Sequence, residues 1–557
     1  MRCRHPLKYP LLGALAALIA LPLMAGAEPE SLHPDVTLER LFGAGSNPVR
    51  LVKDPVDHSL YLLKTNGEIN LVDVVDGSMQ RLYRSTNHTL RNAQGLAVGA
   101  DGTMYLSGYS TSGNTQTAKI MRGVIDASGE RSWSPLATTE PFEQSDSWYN
   151  HRVNDVAISP DGRFLFVNSG SRTEHGEVQD NNGAFPGLRE TGLTAIMLRI
   201  PIDADDITLP NDREALRAGG YLFAEGLRNS FSVAFAPNGD LFATENGPNR
   251  DMPEELNWVR EGHHYGFPWR MGREDTPQQF PGYDPASDPL LPPSQRNAGN
   301  GLYADDPDYP PPPMDFTDPV LNVGPDADRY RDLETGQIRD ASDDGVALAT
   351  FTTHRSPLGL VFDNDNALGG EFQGAGFVLA WNGGNNDLIS PFGDPGQDLC
   401  LLKLTRDGDG YTTTVTQVVV GFTNPIDAEL IGNTMYVVEH GGTRGVFRID
   451  FPAAMTAVLG EESLPSTFSL GQNHPNPFNS STTIRFELTE PSTVELVVYD
   501  LTGQRVSTLV SGFRQAGSHS FTWNGLNDGG FPVASGTYMY ELSTPDGRQL
   551  RKMLLLQ

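Results

Sequence analysis

The sequence predicts an all-β protein: a six-bladed β-propeller followed by a small, Ig-like β-sandwich. Three observations predict it. A short turn leading into a strand that ends in small residues recurs six times, at 57–63, 100–106, 160–167, 237–243, 372–379 and 431–438. Glycine (59) and proline (41) are abundant while convincing helical periodicity is scarce, as in chains of short strands and turns. After Phe451 the chain restarts as about ninety residues of short alternating strands, the pattern of a small sandwich.

Residues 1–27 have the three-part layout of a secretory signal peptide. Arg2, Arg4 and Lys8 form a positive start, Leu11 to Leu23 is apolar, and Ala25-Gly26-Ala27 offers small residues for cleavage. The apolar run is too short to span a bilayer comfortably. Cleavage after Ala27 gives a mature chain that begins at Glu28. No later segment is apolar enough to be a membrane span.

The six repeats place the propeller at 28–455. Asp-Gly or Asn-Gly between two strands is a strong hairpin signal, and six hairpins with irregular connections suit six radial blades. Between 270 and 345 the pattern stops. Pro310 to Pro313 and several Asp-Pro steps mark an inserted loop. Within it Asp326, Asp328 and Asp332 have partial calcium-loop spacing, but no central glycine or closing glutamate, so they read as solvated surface. An acidic stretch around Glu461 and Glu462 sets a linker at 456–466, and the tail domain fills 467–557.

Charge and cysteine content narrow the function. Asp+Glu 70 against Lys+Arg 40 gives a net charge of −30, which repels nucleic acid and anionic membranes, so neither is expected as a partner. Past the leader only Cys400 remains, in an apolar stretch that points to a buried structural thiol.

The densest polar stretch runs Gly226-Leu227-Arg228-Asn229, a hairpin, Glu245-Asn246-Gly247-Pro248, Glu254-Glu255-Leu256-Asn257, then Tyr265-Gly266-Phe267-Pro268. An Arg-Asn pair before a strand requires polar partners if buried. Gly-Pro after a strand exposes carbonyls, which together with carboxylates suit a hard cation such as calcium. An ordinary turn is the alternative.

These elements, in this order, resemble the soluble glucose/sorbosone dehydrogenase family, six-bladed propellers that use pyrroloquinoline quinone (PQQ) and calcium. Weaker similarity extends over about 50–450, with Gln94-Gly95-Leu96 in the second blade and His354-Arg355-Ser356-Pro357 in the fifth. The resemblance implies His151 as general base and Arg228 as the residue that stabilises charge on the quinone. It implies cofactor contacts at Gln94, Asn229 and His354. It assigns calcium to the carbonyls of Gly247 and Pro248, and a second, structural calcium to Glu255 and Tyr265. If His151 is the base, activity is expected to rise with pH through its pKa.

The chain departs from the family pattern at several points. Two glycines after the base are Val153 and Asn154, an acid partner of the base is replaced in Gly170-Ser171, and a late Arg-Pro is Asn424-Pro425. A lysine that contacts the cofactor has no counterpart. Losing two cations beside an anionic tricarboxylate weakens its binding.

The tail resembles the C-terminal sorting domain of type IX secretion cargo. Asn473 to Asn479, Tyr499-Asp500-Leu501-Thr502-Gly503, Trp523-Asn524-Gly525, Val533 to Tyr538 and Lys552-Met553 carry the likeness. It implies passage across an outer membrane, with the type IX machinery as partner. The leading expectation is a secreted or cell-surface oxidoreductase acting on a sugar or related alcohol, with an external electron acceptor. The alternatives are a non-catalytic calcium-stabilised propeller that binds glycans or surface partners, and a metal-dependent lactonase-type propeller.

Overall fold

The computed structural model describes residues 28–126, 129–296, 303–381, 388, 391–440, 445–454, 468–473, 475–476, 478–500, 504–545 and 547–555. The expected leader at 1–27 and linker at 456–466 lie outside the described residues. The chain divides into two compact units, Met1–Ala454 and Met455–Gln557.

The first unit is a six-bladed propeller. Its blades have innermost strands at Pro48–Lys53, Asn92–Val98, Val153–Ile158, Ser230–Phe235, Pro357–Phe362 and Pro425–Ile431. Each innermost strand runs antiparallel to the next strand of its own blade. The six repeats seen in the sequence are the hairpins that join these pairs. In blade three, Gly162 takes φ +68° at the turn, while Ser159 Oγ accepts from the backbone N–H groups of Arg163 and Phe164 at 3.1 and 2.9 Å. A side chain with a Cβ is disfavoured in that backbone region, which is why Asp-Gly and Asn-Gly recur there.

Consecutive innermost strands pack against each other around the ring, and the sixth packs against the first. Closure also joins the two ends of the unit by hydrogen bonds. The early strand Thr37–Gly43 pairs with Gly445–Asp450 and becomes the outer strand of blade six. Blade six is thus completed by a strand from the start of the unit, which ties its two ends together.

All six innermost strands slip register near their starts, between Pro48/Arg50, Ala93/Gly95, Val153/Val156, Ser230/Val233, Pro357/Leu360 and Pro425/Asp427. Bulges re-aim side chains, and here they help place three charged groups together. The Arg50 guanidinium, with the residue 2% exposed, lies 3.3 Å from Asp155 and 3.7 Å from Asp427 and donates to the Phe231 carbonyl. Asp155 accepts from Ser232 Oγ and Val233 N at 3.1 and 3.2 Å, and Asp427 from Leu51 N at 2.8 Å. Blades one, three, four and six are thereby tied together. A cavity of about 310 Å³ opens at the C-terminal ends of the innermost strands, with residues of all six lining it.

Burial pushes the Asp427 carboxyl up to about 8, with Asp155 adding to the effect and Arg50 opposing it. An acid whose folded pKa is raised binds more protons folded than unfolded between its two pKa values. Stability is therefore expected to fall as pH rises from about 4 to about 8. Asp427→Asn should flatten the alkaline part of that decline. Melting temperatures of both proteins at pH 6 to 9 check it, and parallel curves would show that Asp427 does not titrate there.

The stretch from 270 to 345, expected as a loop, carries structure of its own. Leu321–Pro325 pairs in parallel with Gly410–Val420, adding a strand to blade five, and Leu290, Leu291 and Tyr303 are buried. Asp326 and Asp328 are not the solvated surface expected of them. Asp326 Oδ2 accepts from Gln417 N at 2.9 Å, and the buried Asp328 from Ser342 N at 3.0 Å. Their carboxylates satisfy backbone donors, which is what buried polar groups require. Cys400 is a buried free thiol, as its apolar setting suggests.

The second unit is a β-sandwich. One sheet contains Phe468–Leu470, Thr482–Leu488 and Gly517–Trp523, and the other Ser492–Tyr499, Arg505–Arg514, Gly536–Thr544 and Gly547–Leu555. Alternate residues, including Ile484, Phe486, Leu496, Val498, Tyr540 and Leu542, face inward and form one core. Trp523 is buried in it, and its indole N–H donates to Leu526 O at 2.9 Å.

Candidate functional site

Antiparallel pairing puts the start of an innermost strand and the end of the strand after it at the same end of the axis. Most of the residues singled out in the sequence lie there. His151 stands two residues before Val153–Ile158, Arg228 and Asn229 immediately before Ser230–Phe235, and His354 shortly before Pro357–Phe362. Gly247 and Pro248 follow Leu241–Glu245, and Gln94 lies at the bulge of blade two.

Backbone bonds join His151 and Arg228 through one residue. Ser171 O accepts from His151 N at 2.8 Å, and Ser171 N donates to Arg228 O at 2.7 Å. The histidine ring is set by the same serine. Nδ1 lies 3.1 Å from Ser171 Oγ, which in turn lies 2.9 Å from Thr173 O. A carbonyl can only accept, so the hydroxyl proton goes to Thr173 O and Nδ1–H donates to Oγ. This network assigns the proton to Nδ1 and the lone pair to Nε2. Burial, then Arg228 and Arg152, hold the imidazole pKa well below its ordinary value. The ring is a neutral base.

Arg228 is buried, and each of its three nitrogens donates a hydrogen bond. Nε donates to Glu174 O at 2.8 Å, Nη1 to Asn246 O at 2.9 Å, and Nη2 to the Glu174 carboxylate. The other oxygen of that carboxylate accepts from Asn249 N, and Asn249 Nδ2 donates to Tyr149 OH at 2.6 Å. Asn229 Oδ1 accepts from Asn154 Nδ2 at 3.1 Å, and its backbone N–H donates to Glu245. Asn154, one of the departures from the family pattern, therefore makes a contact within the site.

The adjacent carboxylates take different partners. Glu254, not Glu255, faces the Gly247-Pro248 turn, with Oε2 accepting from Gly247 N at 2.5 Å. Glu255 turns to Gly272 N and Asn257 Nδ2 at 2.7 and 2.9 Å. Tyr265 OH donates to Trp258 O at 2.6 Å, and its ring packs in a core with Leu227 and Val259. The Glu255 and Tyr265 side chains thus satisfy different partners. Among the described residues no three His, Cys, Asp or Glu side chains gather as a metal-ion set. Burial raises Glu245 to about 8, Glu254 to about 6 and Glu255 to about 7. His354 Nε2 lies 2.8 Å from Asp251 Oδ1, whose other oxygen takes Arg331.

Sequence reasoning missed Glu174, Glu254 and the Tyr149–Asn249 link. Glu174 follows the second strand of blade three as Gly247-Pro248 follows that of blade four. Equivalent position in the repeat was the available signal.

Residues 57–290 match the family described as Glucose / Sorbosone dehydrogenase, and residues 474–547 match the FlgD Ig-like domain. The first match contains His151, Arg228, Asn229, Gly247 and Pro248 and ends before His354. Quinoprotein glucose dehydrogenase B of Acinetobacter calcoaceticus is 31% identical over 93 residues, which are 16% of this chain and 18% of that protein. The chain thus matches less than a fifth of that relative's length. Among solved structures, the glucose dehydrogenase-type putative oxidoreductase of Thermus thermophilus shares 17% identity at a TM-score of 0.46, covering 74% of this chain and 99% of its own. The PQQ-bound aldose sugar dehydrogenase of Streptomyces coelicolor shares 15% identity at a TM-score of 0.43, covering 76% and 99%.

Proposed function

We propose that the propeller is a quinone-dependent dehydrogenase that oxidises a sugar or related alcohol. The observation that carries this is the His151 ring. Its Nδ1 proton is committed to Ser171 and its Nε2 lone pair is available at neutral pH, which is what proton removal from a hydroxyl requires. The family match over 57–290 supports the same reading.

The site fits PQQ in kind. Arg228 would supply a buried guanidinium, Gly247 and Pro248 would supply carbonyls for a calcium, and Asn229, with Gln94 in blade two and His354 in blade five, would supply polar contacts. Bound there, PQQ would supply the two-electron acceptor that the protein itself lacks. His151 would take the substrate hydroxyl proton on Nε2, and Ser171 would keep the ring in the productive tautomer. The residues Val153 to Asp155 are buried, so water is excluded behind the base.

Purified protein mixed with PQQ and calcium is expected to retain the cofactor's absorbance through gel filtration and then to reduce a dye with aldoses. Loss of all the absorbance in the flow-through would remove the dehydrogenase reading. It would leave the propeller as a binding module, a second reading favoured by the Glu174 carboxylate that already pairs with Arg228. Export belongs to the proposal as well: residues 1–27 as cleaved leader and 467–557 as a type IX sorting domain. Removing residues after Gly460 should trap the propeller in the periplasm.

A further inference from the structure

The Arg228 side chain is 4% exposed and its carboxylate partner Glu174 is fully buried. Glu174 is held from both ends. Its carboxylate bridges Arg228 and Asn249 N, and its own N–H donates to Glu177 Oε1 at 3.0 Å. The surrounding segment is equally fixed. Glu190 accepts from Arg172 N and Thr173 N at 3.0 and 3.1 Å, and Glu177 from His175 N at 2.9 Å. The structured insertion clamps it from outside, with Tyr309 OH donating to His175 O at 2.8 Å and the Tyr303 ring 4.2 Å from that of His175.

A buried guanidinium needs a counter-anion, because an isolated charge is costly out of water. In a site whose ligand is anionic, the ligand can meet that need. Here the chain meets it itself, and a carboxylate–guanidinium pair carries little net charge with which to attract a second anion.

We propose that Glu174 stands in for a ligand carboxylate on Arg228 and thereby sets how strongly the axial site takes anionic ligands. This rests on the quinone reading only for the identity of the ligand. Glu174 acts through Arg228 and is a positioning and selectivity residue, not a catalytic one.

The test compares full-length wild type with Glu174→Ala and Glu174→Gln in two measurements. The first is thermal melting with and without acetate, the group that alanine removes. Glu174→Ala is expected to melt lower than wild type and to be raised selectively by acetate. Glu174→Gln fills the same space without charge and should show no such rescue. Equal acetate effects on all three proteins would overturn the proposal. The second is equilibrium titration with PQQ in calcium, where Glu174→Gln is expected to bind at least about tenfold more tightly than wild type.

The outcomes separate the two ideas. Acetate rescue without PQQ binding in any protein would end the quinone reading and leave the Glu174 assignment standing. Equal PQQ affinity with no acetate rescue would end the Glu174 assignment and leave the quinone reading. Should Glu174→Ala fail to fold, Glu174→Gln decides by its PQQ affinity: no gain over wild type overturns the proposal.

Discussion

Arg228→Ala is expected to destabilise the propeller by about 3–5 kcal/mol, the cost of leaving a buried partner charge unmatched. The partner is Glu174, fully buried and with no other cation bonded to its carboxylate among the contacts described. The Asn246 carbonyl would also lose its donor. The urea midpoint should fall with an unchanged slope, the signature of lost stability without a change in the surface exposed. The double substitution Arg228→Ala/Glu174→Ala should recover much of the loss, since it removes both charges together. Equal losses in the single and double variants would show that packing, not the charge pair, sets the effect. Arg228→Lys keeps the charge but not the planar fork that reaches three acceptors at once, so it should fall between.

The legible and illegible parts of the sequence divide along physical lines. Hairpins such as Pro160-Asp161-Gly162 were readable because a turn with positive φ restricts its residue types locally. The polar cluster at Arg228 and Asn229 was readable because charged residues flanking a strand demand partners. The partner itself was not, since Glu174 and Arg228 are 54 positions apart and nothing local ties them. Which of the adjacent acids Glu254 and Glu255 serves the Gly247 turn was not legible either: neighbours in extended chain point to opposite sides, and it is Glu254 that reaches Gly247. The insertion was misread because its Asp-Pro steps hide the short strand Leu321–Pro325, whose pairing with blade five is non-local. The axial cluster of Arg50, Asp155 and Asp427 joins three repeats at bulges, and no single repeat reveals it.

His151→Ala is expected to lower turnover of the PQQ-loaded protein by about 10²–10⁴-fold, the range for a positioned general base. The pH dependence is the sharper test. An ordinary histidine would make activity rise through about pH 6 to 7. Burial with Arg228 and Arg152 beside it holds the His151 pKa well below that range, so the base is already free at neutral pH. Turnover should be flat from about pH 6 to 8 and fall only in more acid solution. Stability shares the sign. A histidine with a depressed folded pKa binds fewer protons folded than unfolded, so its contribution is lost as pH falls below about 6.5. Ser171→Ala leaves Nδ1–H without its acceptor and lets the ring exchange tautomers, so its rate should lie between wild type and His151→Ala. Combining His151→Ala with Arg228→Lys should cost less than the sum of the two, because both serve one step. Wild-type turnover that survives His151→Ala would overturn the base assignment. A wild-type profile that climbs steeply between pH 6 and 7 would instead show that the base in use is not the half-buried imidazole on Ser171.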